Sequence, residues 1–185
     1  MILEEERNFL FNVLADNGVK LPGLMMGELG NQIWYNGRAA KDIFSLIGVN
    51  HISFDINGQN GALPIDLSKP IPTEFWDRFD VVTDFGCSEH VSNPYEVNRN
   101  IHRITKVGGL IVRAVPLEKT WSGHCIFRYR FNAFMKLTDI CKYKLLISDT
   151  HSKNLLWGAM IKTEDSMFPT YGEFVDLNII NTEKF

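Results

Sequence analysis

The sequence predicts an α/β domain: a mostly parallel β-sheet with helices on both faces. Three observations predict it. Short, unpatterned apolar runs, the mark of strands covered on both faces, recur along the chain. Segments with apolar residues at helical spacing alternate with them. The chain has 185 residues, 45% of them hydrophobic and 22% charged, which is ordinary for one globular domain and excludes disorder.

The elements follow in order. Leu3, Phe9, Leu10, Val13 and Leu14 recur at helical spacing, and Asn17-Gly18 stops that N-terminal helix, expected within residues 1–20. Leu24-Met25-Met26 begins a strand that ends in Glu28-Leu29-Gly30. A helix is expected over 35–47, with Ala39, Ile43, Phe44 and Ile47 on one face and Gly48 at its end. His51-Ile52-Ser53-Phe54-Asp55 reads as a second strand, followed by a loop and a shorter strand near 62–65. Phe79 to Asp84 is a further buried strand, and 94–105 a helix. Gly108-Gly109 turns the chain into the strand Leu110-Ile111-Val112-Arg113-Ala114-Val115. A helix over 132–141 precedes two strands, 143–148 and 155–161, whose short connection requires one of them to run antiparallel to its neighbour. Residues 22–162 form the expected core of a single domain, and 163–185 a tail without a clear period.

Composition narrows the function. A net charge of -3 supplies no overall field for a polyanion, which argues against nucleic acid as a partner. The run Arg128, Arg130, Lys136, Lys142 and Lys144 reads as a solvated face. Cys87, Cys125 and Cys141 are scattered, with no spacing that suggests zinc, so no metal is expected and a reducing compartment fits. The acidic start and the absence of a long apolar run predict a soluble, cytoplasmic protein without membrane contact.

Four segments carry chemistry. In Gly27-Glu28-Leu29-Gly30-Asn31-Gln32, Gly30 lets the backbone pass close to a ligand and Glu28 offers an acid beside it. Asp55, at the end of the second strand, can accept both hydroxyls of a ribose, in nicotinamide enzymes as well as in others. Leu63-Pro64-Ile65-Asp66-Leu67-Ser68 places an acid after the third strand, where it can also cap a turn. The fourth runs from Phe79 through Asp84-Phe85-Gly86-Cys87-Ser88-Glu89-His90-Val91 to Lys106-Val107-Gly108-Gly109.

In order and spacing these segments resemble the class I S-adenosylmethionine-dependent methyltransferases of small-molecule type, over about residues 22 to 162. The resemblance implies a Rossmann-like three-layer sandwich on a seven-stranded, mostly parallel sheet with an antiparallel strand near the C-terminus. It implies S-adenosylmethionine as cofactor, held by Glu28, Gly30, Asn31 and Gln32 from the first loop and Asp55 and Ile56 from the second. Asp66 and Leu67 would serve the adenine, with Asp84 and Phe85 after the strand that follows. The chain departs from the family at Gln32 and Trp34, where further glycines are common. Each side chain must either point away from the cofactor or occupy part of its site.

Methyl transfer asks the protein to hold an acceptor in line and to take its proton. His90, His124 and Glu89 are the candidates, the histidines because imidazole titrates near neutrality, and Trp121 stands beside them. The expected function is an enzyme that methylates a small or medium-sized acceptor. The alternative is a non-catalytic member of the fold that binds a partner or a nucleotide. A nicotinamide oxidoreductase is disfavoured by the absent pyrophosphate-binding glycine fingerprint. A methyltransferase acting on nucleic-acid bases is disfavoured by the absent Asn/Asp-Pro-Pro-aromatic run.

Overall fold

The computed structural model describes residues 2–152 and 154–182. Helix α1 (Glu4–Asp16) carries three glutamates in its first turn, where negative charge favours the helix dipole, and ends before Gly18 in the left-handed region. Strand β1 (Met25–Leu29) leads through a loop to α2 (Ala40–Leu46) and β2 (Asn50–Phe54). This helix starts five residues later than expected from 35, because Asn36-Gly37 forms a turn that folds Trp34 back to hydrogen-bond Arg38. Strand β3 (Phe79–Phe85) passes through a short turn into α3 (Pro94–Ile104), begun by Pro94 and capped by Asn93, which accepts the Glu96 N–H at 3.1 Å.

Strand β4 (Thr105–Pro116) starts ahead of the glycine pair, which forms a bulge rather than a lead-in. A Cβ at Gly109 would lie 3.0 Å from the Phe79 carbonyl, so only glycine fits there. Then come β5 (Arg128–Tyr129), α4 (Ala133–Cys141), β6 (Tyr143–His151) and β7 (Leu155–Lys162). The tail is structured where no period was visible. Thr170 and Glu173 form a reciprocal capping box that starts α5 (Tyr171–Asp176), and β8 (Ile180–Asn181) pairs antiparallel with β5.

The main sheet has the order β2-β1-β3-β4-β7-β6. Neighbours from β2 to β4 are parallel, and β7 runs antiparallel to both β4 and β6. Among the described residues it has six strands, not the seven expected. The segment near 62–65 contributes one parallel bridge, Leu63 to Phe54 on the outer edge of β2. Pro64 has no N–H to continue the ladder, and the Ile65 N–H turns back to the Leu63 carbonyl at 2.8 Å.

Two cores flank the sheet. One packs α1 and α2 through Phe9, Leu10, Leu14 and Phe44 against Val81, Val112 and Ala159. The other packs α3, α4 and α5 through Val97, Ile101, Phe134 and Phe174 against Val82, Ile111 and Met160. Alternate residues of β4 enter opposite cores, which makes the three-layer sandwich. Among the described residues no helix is long and apolar enough to cross a membrane.

Candidate active site

Strand order reverses between β1 and β3, and there the carboxyl ends of the strands open into a cleft of about 450 Å3. The loops after β1, β2 and β3 line it with Gly30, Asn31, Gln32, Asp55, Ile56, Gly86, Cys87 and His90, and the segment after the Leu63 bridge adds Ile65, Asp66, Leu67 and Ser68. Gly30 has φ +78, and a Cβ there would lie 3.2 Å from Cys87 Sγ and 3.0 Å from Gln32 Nε2. The β1 loop and the β3 loop thus meet at a glycine.

Both carboxylates of the cleft are oriented by backbone. Asp55 Oδ2 accepts the Asn31 N–H at 2.9 Å and its Oδ1 the Asn57 N–H at 3.0 Å, tying the β2 loop to the β1 loop. Asp66 accepts the Ser68 N–H and hydroxyl and pairs with Lys69 at 3.1 Å, so it does cap a turn while lining the cleft. Those hydrogen bonds, with Lys69, hold its carboxyl below the usual range.

The two departures in the first loop separate. Gln32 is buried, lies over Gly30 and lines the floor of the cleft. Trp34 turns away, packing edge-on against Phe44 in the α1–α2 core at 5.7 Å.

Glu28, Asp84 and Phe85 lie outside the cleft lining. Glu28 is buried beneath the β1 loop, accepting the Gln32 N–H at 3.3 Å and facing His51 at 3.7 Å; burial raises its pKa. Asp84 caps the turn after β3, accepting the Cys87 and Ser88 N–H groups, and pairs with Arg113 at 2.8 Å. Arg113 also donates to Asn98, Ser88 and Tyr129. Phe85 faces a neighbouring recess of about 230 Å3, with Glu89, Trp121 and His124.

The structure brings His90, His124 and Glu89 together. The histidine rings meet edge to face at 5.0 Å, and Glu89 Oε1 lies 3.8 Å from His90 Nε2. Burial, and then His124, lowers the His90 pKa. Burial, and then Asp84, pushes Glu89 up to about 8. His90 lines the cleft, His124 and Glu89 line the recess, and Gly86 lines both.

No family model and no curated protein matches the sequence. Among solved structures the chain is similar to Burkholderia thailandensis 1,6-didemethyltoxoflavin-N1-methyltransferase with bound 1,6-didemethyltoxoflavin and S-adenosylhomocysteine. Identity is 15%, over 87% of this chain and 79% of that one, with a TM-score of 0.60. It is also similar to a chain of the complex between the Haloferax volcanii Trm112 methyltransferase activator and its candidate methyltransferase, at 16% identity over 85% and 89%, TM-score 0.65. A third likeness is to the S-adenosylmethionine dependent methyltransferase from Mesorhizobium loti, at 12% over 82% and 96%, TM-score 0.53. The fold is that of the S-adenosylmethionine-dependent methyltransferases. At these identities the likeness is one of fold.

Within this methyltransferase fold, sequence reasoning missed two charged residues. Glu6, on the apolar face of α1, lines the recess, and Arg113, inside an apolar strand, braces the turn that carries Gly86 and Cys87. Both had a legible signal, a charge at a position whose neighbours by periodicity are all apolar. Cys87 also lines the cleft, its thiol pKa pushed well up by burial.

Proposed function

We propose that the chain is an S-adenosylmethionine-dependent methyltransferase acting on a small or medium-sized acceptor. One observation carries the reading: a cleft at the strand-order reversal, with a glycine-tight β1 loop on one side and an acid at the end of β2 on the other.

The residues fit the cofactor. The space over Gly30 is one a Cβ would fill, Asp55 offers a carboxylate fixed by two backbone N–H groups, and exposed Ile56 offers an apolar surface beside it. In this reading Asp55 takes the ribose hydroxyls, Asp66 and Leu67 the adenine, and Asn31 and Gln32 the polar end. Glu28 and Asp84 act from beneath, holding the two loops in place. When bound, the cofactor supplies a methyl group made electrophilic by its sulfonium.

The chain's own part is to position the acceptor and move its proton. The recess shares Gly86 with the cleft, so an acceptor seated there borders the cofactor site. His90, biased to the neutral form, is available at the junction of cleft and recess to take a proton, and His124 stands against it.

Calorimetric titration with S-adenosylhomocysteine tests the reading. Wild type should bind at micromolar strength, about -8 kcal/mol, and Asp55→Ala should not bind. A folded wild type that does not bind would overturn it.

A further inference from the structure

The recess beyond Gly86 has a chemical character of its own. Glu6 from α1 and Glu89 from the turn after β3 both line it, only 6% and 2% exposed, between Phe85, Pro116 and Trp121. No lysine or arginine lines it among the described residues. The second oxygen of Glu89, Oε2, is sealed from solvent and has no hydrogen-bond partner. A carboxyl oxygen buried without a partner is costly to the empty protein, so a ligand that pairs with it gains what the fold alone leaves unmet.

We propose that this recess binds the amine of a small apolar molecule, a primary or secondary amine seated against Glu89 and Glu6, with its body on Phe85, Pro116 and Trp121. The proposal deepens the methyltransferase reading and rests on it for what happens to the amine, which would be the methyl acceptor. Seating of the amine stands on the recess itself. A hydroxyl brings one donor and no charge. An ammonium brings two or three donors and a charge that both carboxyl groups favour, and the exposed ring of Trp121 adds a π-face for it.

The surrounding charges leave Glu89 free for this. Behind it, Asp84 is paired with Arg113. Glu6 approaches from α1, His90 from the next position, His124 from the opposite loop, and the thiols of Cys87 and Cys125 lie near. Burial keeps Glu89 protonated up to about 8. When an ammonium enters below that pH, the Glu89 carboxyl gives one proton to solvent, and an ammonium–carboxylate pair forms. The carboxylate then stands ready to take the amine's own proton.

The test uses the full chain with benzylamine and tyramine as probes, and benzyl alcohol and tyrosol as their hydroxyl counterparts. Calorimetry near pH 6.5 in two buffers of different ionisation heat reads affinity and protons together. The expected result is amine binding at least about tenfold tighter than the alcohol, with about one proton released per amine. Glu89→Gln, shaped like the protonated glutamate, should melt no lower than wild type and lose the preference. Glu6→Gln, a second variant, should weaken amine binding in the same direction. Equal binding of amine and alcohol, no amine binding, or a preference that survives Glu89→Gln would overturn the proposal. Titration with S-adenosylhomocysteine separates the two readings. Amine binding without it would sink the methyltransferase and leave the recess; the reverse would sink the recess alone.

Discussion

Arg113 and Asp84 face each other across neighbouring parallel strands and form an ion pair at 2.8 Å, with side chains 2% and 1% exposed. The same guanidinium reaches Ser88 in the turn and Tyr129 in β5, so one buried cation ties sheet, turn and β5 together. Arg113→Met should cost about 3–5 kcal/mol, since it leaves Asp84 charged, buried and unpaired. Adding Asp84→Asn keeps an acceptor for the Cys87 and Ser88 N–H groups and removes the charge, and should restore much of the loss. Urea unfolding of both variants checks this. A double variant no better than the single would show that the charge was not the cause.

Gly158 of β7 sits opposite Arg113 in register, and a Cβ there would overlap the Phe134 ring. That ring in turn covers the guanidinium, 5.1 Å from it. Gly158→Ala should therefore displace Phe134 and destabilise by about 1–3 kcal/mol, the cost of overpacking a tight core. The midpoint in urea reads it. An unchanged midpoint would mean that Phe134 has room to move.

Gly30 joins conformation to the site, with φ +78 and a Cβ position only 3.0 Å from Gln32 Nε2 and 3.2 Å from Cys87 Sγ. Gly30→Ala should lose about 1–2 kcal/mol of stability from the left-handed backbone alone. Its Cβ would push Gln32 and Cys87 at the cleft floor, so S-adenosylhomocysteine binding should fall by more than about tenfold. Adding Cys87→Ala, which removes the sulfur 3.2 Å from that Cβ and leaves the residues read as holding the cofactor, should recover part of the affinity and not the backbone cost. Calorimetry and thermal melts on both variants separate the two.

What the sequence made legible follows from where each signal is local. Buried parallel strands announce themselves as short apolar runs, and β1 to β4 lie where such runs stand. The edge segment near 62–65 has the same look, but the missing N–H of Pro64 confines it to one bridge. Helix α5 is too short to show a period, although Thr170-x-x-Glu173 had written its start in capping chemistry. Asp55 and Asp66 could be placed because strand ends point to the cleft. Glu28 and Asp84 come from the same signal but are turned under the loops, a matter of pleat and neighbours that no spacing reveals. The contact of His90 with His124 depends on how two distant loops fold over Gly86, and was out of reach for the same reason.

Glu89 predicts how stability depends on pH. Its carboxyl is raised from 4.5 to about 8 in the folded chain, chiefly by burial and then by Asp84. Between those values the folded state holds a proton that the unfolded state has released, so stability falls as pH rises through the window. The contribution is complete below the unfolded value and gone above about 8. Glu6 and Glu28, also raised by burial, pull the same way. His102, lowered to about 4 by burial and by Lys162, works oppositely: its contribution is present above 6.5 and is lost as pH falls toward 4. The difference between wild type and Glu89→Gln cancels those other groups. Glu89→Gln should gain on wild type by about 1 kcal/mol per pH unit between roughly pH 6 and 8, as chemical denaturation at several pH values would read. Parallel curves would mean that Glu89 is ionised in the folded protein. The lone Oε2 would then have a charge to satisfy rather than a proton to hold.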